Sequence, residues 1–253
     1  MSTFLVFAGI FFSVLEVNNA QEVGRYVLDT PAYYMFFDVG EDKSVYLDFR
    51  CKESSSFKDT FEDGPYPLIE GSGTQQYTID FSLVREGSAY WYGGIRSVCN
   101  DIKPIGGDLT RLSYSNSDEL HTQFLGQDKT FKRYAHELTS GSFKYTSKSA
   151  ANPDGITIHY KVRSDSIVEM DAECSGRSTS IFAFRLERND DRFQFTTYDV
   201  VDAGRGPVSK FHDKVRWACP NVLHSLDFGY LVFATDSTIF SELGGARISL
   251  RRE

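Results

Sequence analysis

Four cysteines that recur in a repeated context constrain this chain more than any other feature. The stretch "SVYLDFRC" ends at Cys51, and 123 residues later "SIVEMDAEC" ends at Cys174, with Asp48 and Asp171 each three residues before the cysteine and Leu47 and Met170 just ahead. A second pair, "IRSVC" ending at Cys99 and "VRWAC" ending at Cys219, shares a β-branched residue, an arginine, a small apolar residue and the cysteine. Between them, "FSLVREGSAYW" from Phe81 and "FRLERNDDRFQ" from Phe184 share Phe-x-Leu-x-Arg and an aromatic five residues later, Tyr90 or Phe193. Three matches in one order indicate a duplicated unit. An even set of cysteines in an exported chain pairs by default, and the duplication selects Cys51–Cys99 and Cys174–Cys219 from the three connectivities. Each bridge closes a loop whose restriction is worth about 4 kcal/mol.

Export is expected from residues 1–20, "MSTFLVFAGIFFSVLEVNNA". Their apolar run is too short for a membrane span and ends in the small residue Ala20, the pattern of a signal peptide. No later stretch reaches the roughly 18 apolar residues of a spanning helix, so a secreted, extracellular product without membrane insertion is expected. The formal charge of −8 and the lack of a Lys/Arg block argue against nucleic acid as a partner. The basic end, "RISLRRE", reads as a charged tail after a last strand.

Short aromatic or β-branched runs such as "YYMFFDV", "SVYLDF", "SAYWY", "ITIHYKV", "SIFAFRL" and "FGYLVFAT" alternate in the manner of strands and are separated by Gly, Pro, Asn and Asp. Only "DELHTQFLGQ" and "FKRYAHEL" suggest helix. The fold class is therefore all-β, with two tandem antiparallel, jelly-roll-like β-sandwich repeats over 21–140 and 141–253, each holding one disulfide. "SSSFKDTFEDGPYPLIEGSG" reads as a surface loop inserted in the first repeat.

The order apolar-x-Val, Ser-(Val/Ile), an apolar-Asp strand, then Phe-x-Leu and an aromatic hairpin occurs as "FFDVGEDKSVYLDF…FSLVREGSAYWY" and "HYKVRSDSIVEMD…FRLERNDDRFQF". It resembles the farnesoic acid methyltransferase-type module over about 50 residues of each repeat. The resemblance implies a β-sandwich recognition module of secreted proteins rather than a methyltransferase, since nothing resembles a cofactor-binding βαβ unit. "FGYLVFATD" is also similar to a lipocalin strand, which implies a carrier of a small hydrophobic ligand. Only 17 residues follow Asp236, too few for the remainder of a lipocalin barrel.

The chemistry legible in the chain is sparse. There is no Gly-x-Ser-x-Gly, and His121, His136, His159, His212 and His224 share no metal-ligand spacing. Asp59, Glu62 and Asp63 read as a solvated acidic loop. Alternation sends Asp48 and Asp171 to the polar face of their strands, where Arg85/Arg188 and Arg96/Arg216 are the expected counter-charges. A joint acid/base or metal site between Asp48 and Asp171 is the competing reading. In "SAYWYGG", Tyr90 and Tyr92 would share one strand face and Trp91 the other, a surface suited to sugar rings or protein partners. The function expected is recognition of a glycan or extracellular protein through Tyr90, Trp91, Tyr92, Asp48 and Asp171, without a cofactor. The alternatives are a lipocalin-like carrier and a carboxylate- or metal-dependent secreted enzyme.

Overall fold

The computed structural model describes residues 23–52, 60–147, 155–219 and 223–253; residues 1–20, where a signal peptide is expected, and Asp59 lie outside them. The chain is mostly β, but each sheet closes on itself instead of packing as a sandwich. Strands β1 (Gly24–Asp29), β2 (Tyr33–Val39), β3 (Ser44–Cys51), β4 (Thr60–Glu70), β5 (Gln76–Ile79), β6 (Arg111–Asn116), β7 (Glu119–Phe124) and β8 (Gln127–Tyr134) form an antiparallel meander that closes where β8 pairs with β1. A helix, α1 (Ala89–Val98), lies between β5 and β6. The second barrel runs through β9 (Gly141–Thr146), β10 (Ile156–Val162), β11 (Ile167–Cys174), β12 (Arg177–Ser178), β13 (Phe182–Asn189) and β14 (Thr197–Asp202). It continues through α2 (Val208–Ala218), β15 (Tyr230–Phe233), β16 (Thr238–Leu243) and β17 (Ala246–Arg252), which closes on β9. A two-residue strand, β12, hangs from β11.

Closure explains why alternation suggested sandwiches: a barrel strand also points every second residue inward, and only the partner of the outermost strand differs. With eight strands the interior is just wide enough for side chains to fill. Met35, Phe37, Leu47, Phe49, Leu120, Phe124 and Phe131 fill the first barrel, while Ile158, Tyr160, Met170, Phe184, Leu231, Ile239 and Leu250 fill the second. The expected helices at "DELHTQFLGQ" and "FKRYAHEL" are instead β7 and β8. Much of the supposed loop around "TFEDGPYPLIE" is β4, which carries its two prolines past a register shift opposite Val45 and Leu47.

Both disulfides form as paired in the sequence, Cys51–Cys99 and Cys174–Cys219, with Cα–Cα distances of 5.4 and 5.3 Å. Each ties the end of the third strand of its barrel to the residue that caps the helix. The correspondence runs deeper. Asp108 is buried and accepts from the backbone N–H groups of Ile105, Leu125 and Gly126; Asp227 is buried and accepts from those of His224, Gly244 and Gly245. The residues that follow, Leu109 and Phe228, adopt left-handed φ of 56° and 57°, a conformation that a bulky side chain tolerates only when its surroundings impose it. At the seams, Arg133 donates to Ser117 O and Val23 O over the Tyr26 ring, and Arg252 donates to Asp236 O and Ser140 O over the Phe143 ring.

One match of the three does not survive. Phe184–Arg188 lies in β13, which pairs with β11 as β4 pairs with β3, whereas Phe81–Arg85 lies in the turns between β5 and α1. The shared Phe-x-Leu-x-Arg occupies different places in the two barrels.

The barrels touch through a small apolar cluster of Val23, Ala135, Phe195, Tyr230, Val232, Ala234 and Phe240. Around it, Asp118 of the first barrel accepts from Arg133 and from Arg247 of the second, and both guanidinium groups lie over the Phe240 ring. Glu41, in the β2–β3 turn, accepts from the hydroxyls of Thr235, Ser237 and Thr238.

Candidate functional site

The aromatic motif "SAYWYGG" is not a hairpin strand. It opens α1, so successive side chains turn by about 100° instead of 180°, and Trp91 and Tyr92 are buried while Tyr90 stays 47% exposed. Trp91 packs edge-on to Tyr66 and Phe81, with centroids 5.4 and 4.9 Å away, and its Nε1–H donates to Asp63 Oδ2 at 2.7 Å. Tyr66 donates to the same oxygen, and burial, followed by this bond to Asp63, raises the pKa of its phenol. Tyr92 donates to the carbonyl of Asp108 at 2.6 Å. Trp91 and Tyr92 therefore close the barrel and lock the Asp108 turn. Of the three, only Tyr90 offers a free ring edge, which overturns the expected two-faced aromatic surface. Gly94 has a packing role, because a Cβ there would lie 2.2 Å from the Phe61 ring.

Asp48 and Asp171 stand on the outer walls of different barrels. Asp48 faces Phe36 and Glu62 across β2 and β4; its pKa is raised by burial and then by the Glu62 charge, and its Oδ1 is buried without a hydrogen bond. Asp171 lies opposite His159, whose Nδ1 is 3.1 Å from Oδ2. The structure does not bring the two carboxylates into one contact network. Nor are the recurring arginines their counter-charges: Arg188 pairs with Glu137 and Asp190, and Arg216 with Asp213. Glu62 and Asp63 sit on β4, not in an acidic loop. Among the described residues no group of three or more His, Cys, Asp or Glu side chains is placed to hold a metal ion.

A concave feature lies on the outer wall of the first barrel, across β5 to β8. A groove of about 450 Å³ is lined by Gln76, Thr78, Arg111, Ser113, His121, Gln123 and Asp128, with Gly71 and Ser72 at one margin. Period-2 alternation puts these polar residues outward because Tyr77, Leu112, Leu120 and Phe124 point in. Amides, hydroxyls, a guanidinium and a carboxylate thus converge on one open cleft. His121 is held on both ring nitrogens, with Nε2 3.0 Å from Ser115 Oγ and Nδ1 3.2 Å from Thr130 Oγ1 and 3.5 Å from Asp128 Oδ2. The lining comes from separate strands, and its tyrosine, Tyr77, stands outside "SAYWYGG" in the sequence, so reasoning centred on that motif missed the groove.

Counted from Asp108 and Asp227, the lining residues have equivalents in the second barrel. Arg111, Ser113, His121, Gln123 and Asp128 correspond to Tyr230, Val232, Phe240, Glu242 and Arg247. That wall is no groove: Tyr230, Val232 and Phe240 belong to the apolar cluster between the barrels. Tyr230 donates to Glu242, and burial, then this bond, pushes the Tyr230 phenol up to about 12. No protein-family model matches the chain, and no curated protein matches it in sequence.

Proposed function

We propose that this is a secreted recognition protein built by duplication of one barrel unit, and that the groove of the first barrel binds a hydroxyl-rich ligand of the carbohydrate class. The observation that carries this reading is the groove's composition. Hydroxyl-rich ligands are held by side chains that both donate and accept, and Gln76, Gln123, Thr78, Ser113, Arg111 and Asp128 supply both along one cleft. The duplication is supported by the paired disulfides, the Asp108 and Asp227 clamps and the Arg133 and Arg252 seams. Export is supported by the two disulfides, which persist in oxidising compartments. The carrier reading loses ground because interior positions that would have to be open for a hydrophobic guest are filled by Phe37, Phe49, Phe124 and Phe131.

A glycan array probed with the full chain tests the proposal. Binding to a defined glycan set is expected, with affinity falling about tenfold or more for Gln123→Ala or Arg111→Ala. An array that stays dark, or binding that both substitutions leave intact, would remove the groove as the site.

A further inference from the structure

Beside His121 of the groove the fold departs from regular pairing. Between β6 and β7, Tyr114 pairs with Leu120 and Asn116 with Glu119, leaving Ser115 as the extra residue of a β-bulge. Bulges re-aim a side chain and are enriched next to active sites. Here Ser115 and Asn116 are both exposed, and the bulged serine places its Oγ 3.0 Å from His121 Nε2. The opposite ring nitrogen faces Asp128 and Thr130, so the ring is fixed with Nε2 toward the serine. The Asn116 amide lies 3.4 Å from the same Oγ, and the serine hydroxyl also donates to Glu119 Oε2 at 3.0 Å. Glu119 is itself engaged by Lys132, the first cause of its lowered pKa, so it anchors the bulge. The architecture does not demand this arrangement, since the equivalents of Ser115, His121 and Asp128 are Ala234, Phe240 and Arg247.

We propose that Ser115, His121 and Asp128 form a hydrolytic site for carboxylic esters, with Ser115 as nucleophile, His121 as general base, and Asp128 with Thr130 positioning the ring. A serine, a base within hydrogen-bond reach and a group orienting that base are the elements of acyl transfer, recognised by geometry and not by sequence order. The hydroxyl turns from Glu119 to His121. The Oγ–H bond then breaks as Oγ joins the ester carbonyl carbon, and the proton passes to Nε2. The carbon–alkoxide bond breaks next, and the departing alcohol takes that proton. Water attacks the acyl group, loses a proton to Nε2, and the carboxylic acid leaves as Oγ regains its proton. The Asn116 amide, which also donates to Glu119 Oε2 at 3.3 Å, is a side-chain donor beside the developing oxyanion. That the ester is carried on a hydroxyl-rich ligand rests on the groove's proposed function; the nucleophile itself does not.

The full chain treated with a fluorophosphonate probe tests the nucleophile. The expected result is a phosphonyl adduct on the Ser115 peptide, formed about 100-fold more slowly in His121→Gln. Hydrolysis of p-nitrophenyl acetate is expected to disappear in Ser115→Ala, whose exposed site leaves thermal unfolding unchanged. Asp128→Asn is expected to lower kcat about tenfold at constant KM, the mark of a positioning residue. Absence of the adduct, an adduct formed at the unsubstituted rate in His121→Gln, or ester turnover unchanged in Ser115→Ala would each overturn the assignment. Glycan binding and probe labelling of the unsubstituted chain, measured side by side, separate the two readings: binding without labelling sinks only the hydrolytic site, and labelling without binding sinks only the carbohydrate.

Discussion

The outer wall of β5–β8 and the outer wall of β14–β17 share one backbone plan and have opposite fates. In the first barrel the wall carries Arg111, Ser113, His121 and Gln123 and lies open; in the second, Tyr230, Val232 and Phe240 are covered by Val23 and Ala135. Interior positions at the same register remain alike, with Leu112 and Leu231, Leu120 and Ile239, and Phe131 and Leu250 all buried. Inward residues answer to the packing of a closed barrel, whereas outward residues are free to change the job of a wall without disturbing the fold. The helix plug varies with its surroundings too. Trp91, with its indole N–H, meets Asp63, while Phe211 at the equivalent place meets Phe182 at 5.5 Å between ring centroids.

The comparison breaks first if the two aspartate clamps are unequal. Asp108→Ala and Asp227→Ala each strand three backbone N–H groups, and each is expected to cost about 3–6 kcal/mol in urea unfolding. Removing either disulfide by paired Cys→Ser is expected to cost about 4 kcal/mol, nearly the same for both barrels because the separations are 48 and 45 residues. Exchanging wall residues should have one-sided effects. Phe240→His is expected to destabilise by about 3 kcal/mol, since it removes a buried ring from between Arg133 and Arg247, while His121→Phe leaves stability unchanged and abolishes ligand binding. Trp91→Phe is expected to lose about 2 kcal/mol through the lost hydrogen bond to Asp63. Adding Asp63→Phe, which copies the second barrel, is expected to recover part of that loss in a double-mutant cycle.

The smallest effect lies at the junction. Burial pushes the Glu41 carboxyl up, but the three hydroxyls that donate to it outweigh burial and hold it below the usual range. Because the folded value is depressed, the unfolded chain binds more protons in the window between the two values. The contribution is therefore full above the ordinary carboxylate pKa and is lost as pH falls through the folded one. Glu41→Gln is expected to cost about 1 kcal/mol at pH 7, with the difference from the unsubstituted protein shrinking toward pH 3.

Strand content and both bridges were legible because cysteine spacing and period-2 alternation are local signals. Closure was not legible, since alternation does not say which strand the first one pairs with. The helices were misplaced because "AYWYGGIRSV" is rich in aromatic and β-branched residues and holds two glycines, all disfavoured in isolated helices; burial of Trp91, Tyr92, Ile95 and Val98 on one face overrides that preference. The Asp108 and Asp227 clamps had left a trace. Each aspartate precedes an apolar residue and stands 18 residues before a glycine, Gly126 or Gly245. That spacing is as regular as the cysteines, but it lacks a chemical reason until the turns are seen to meet. The groove left none, because its residues gather only when the β5–β8 wall is assembled.

Burial of the Tyr230–Val232–Phe240 wall fixes how many guests the proposed groove reading allows. Two copies of a unit ordinarily promise two attachments and the avidity that follows, yet here one copy's surface is used up in holding the pair together. On that reading, titration with a soluble oligosaccharide is expected to saturate at a single equivalent per chain.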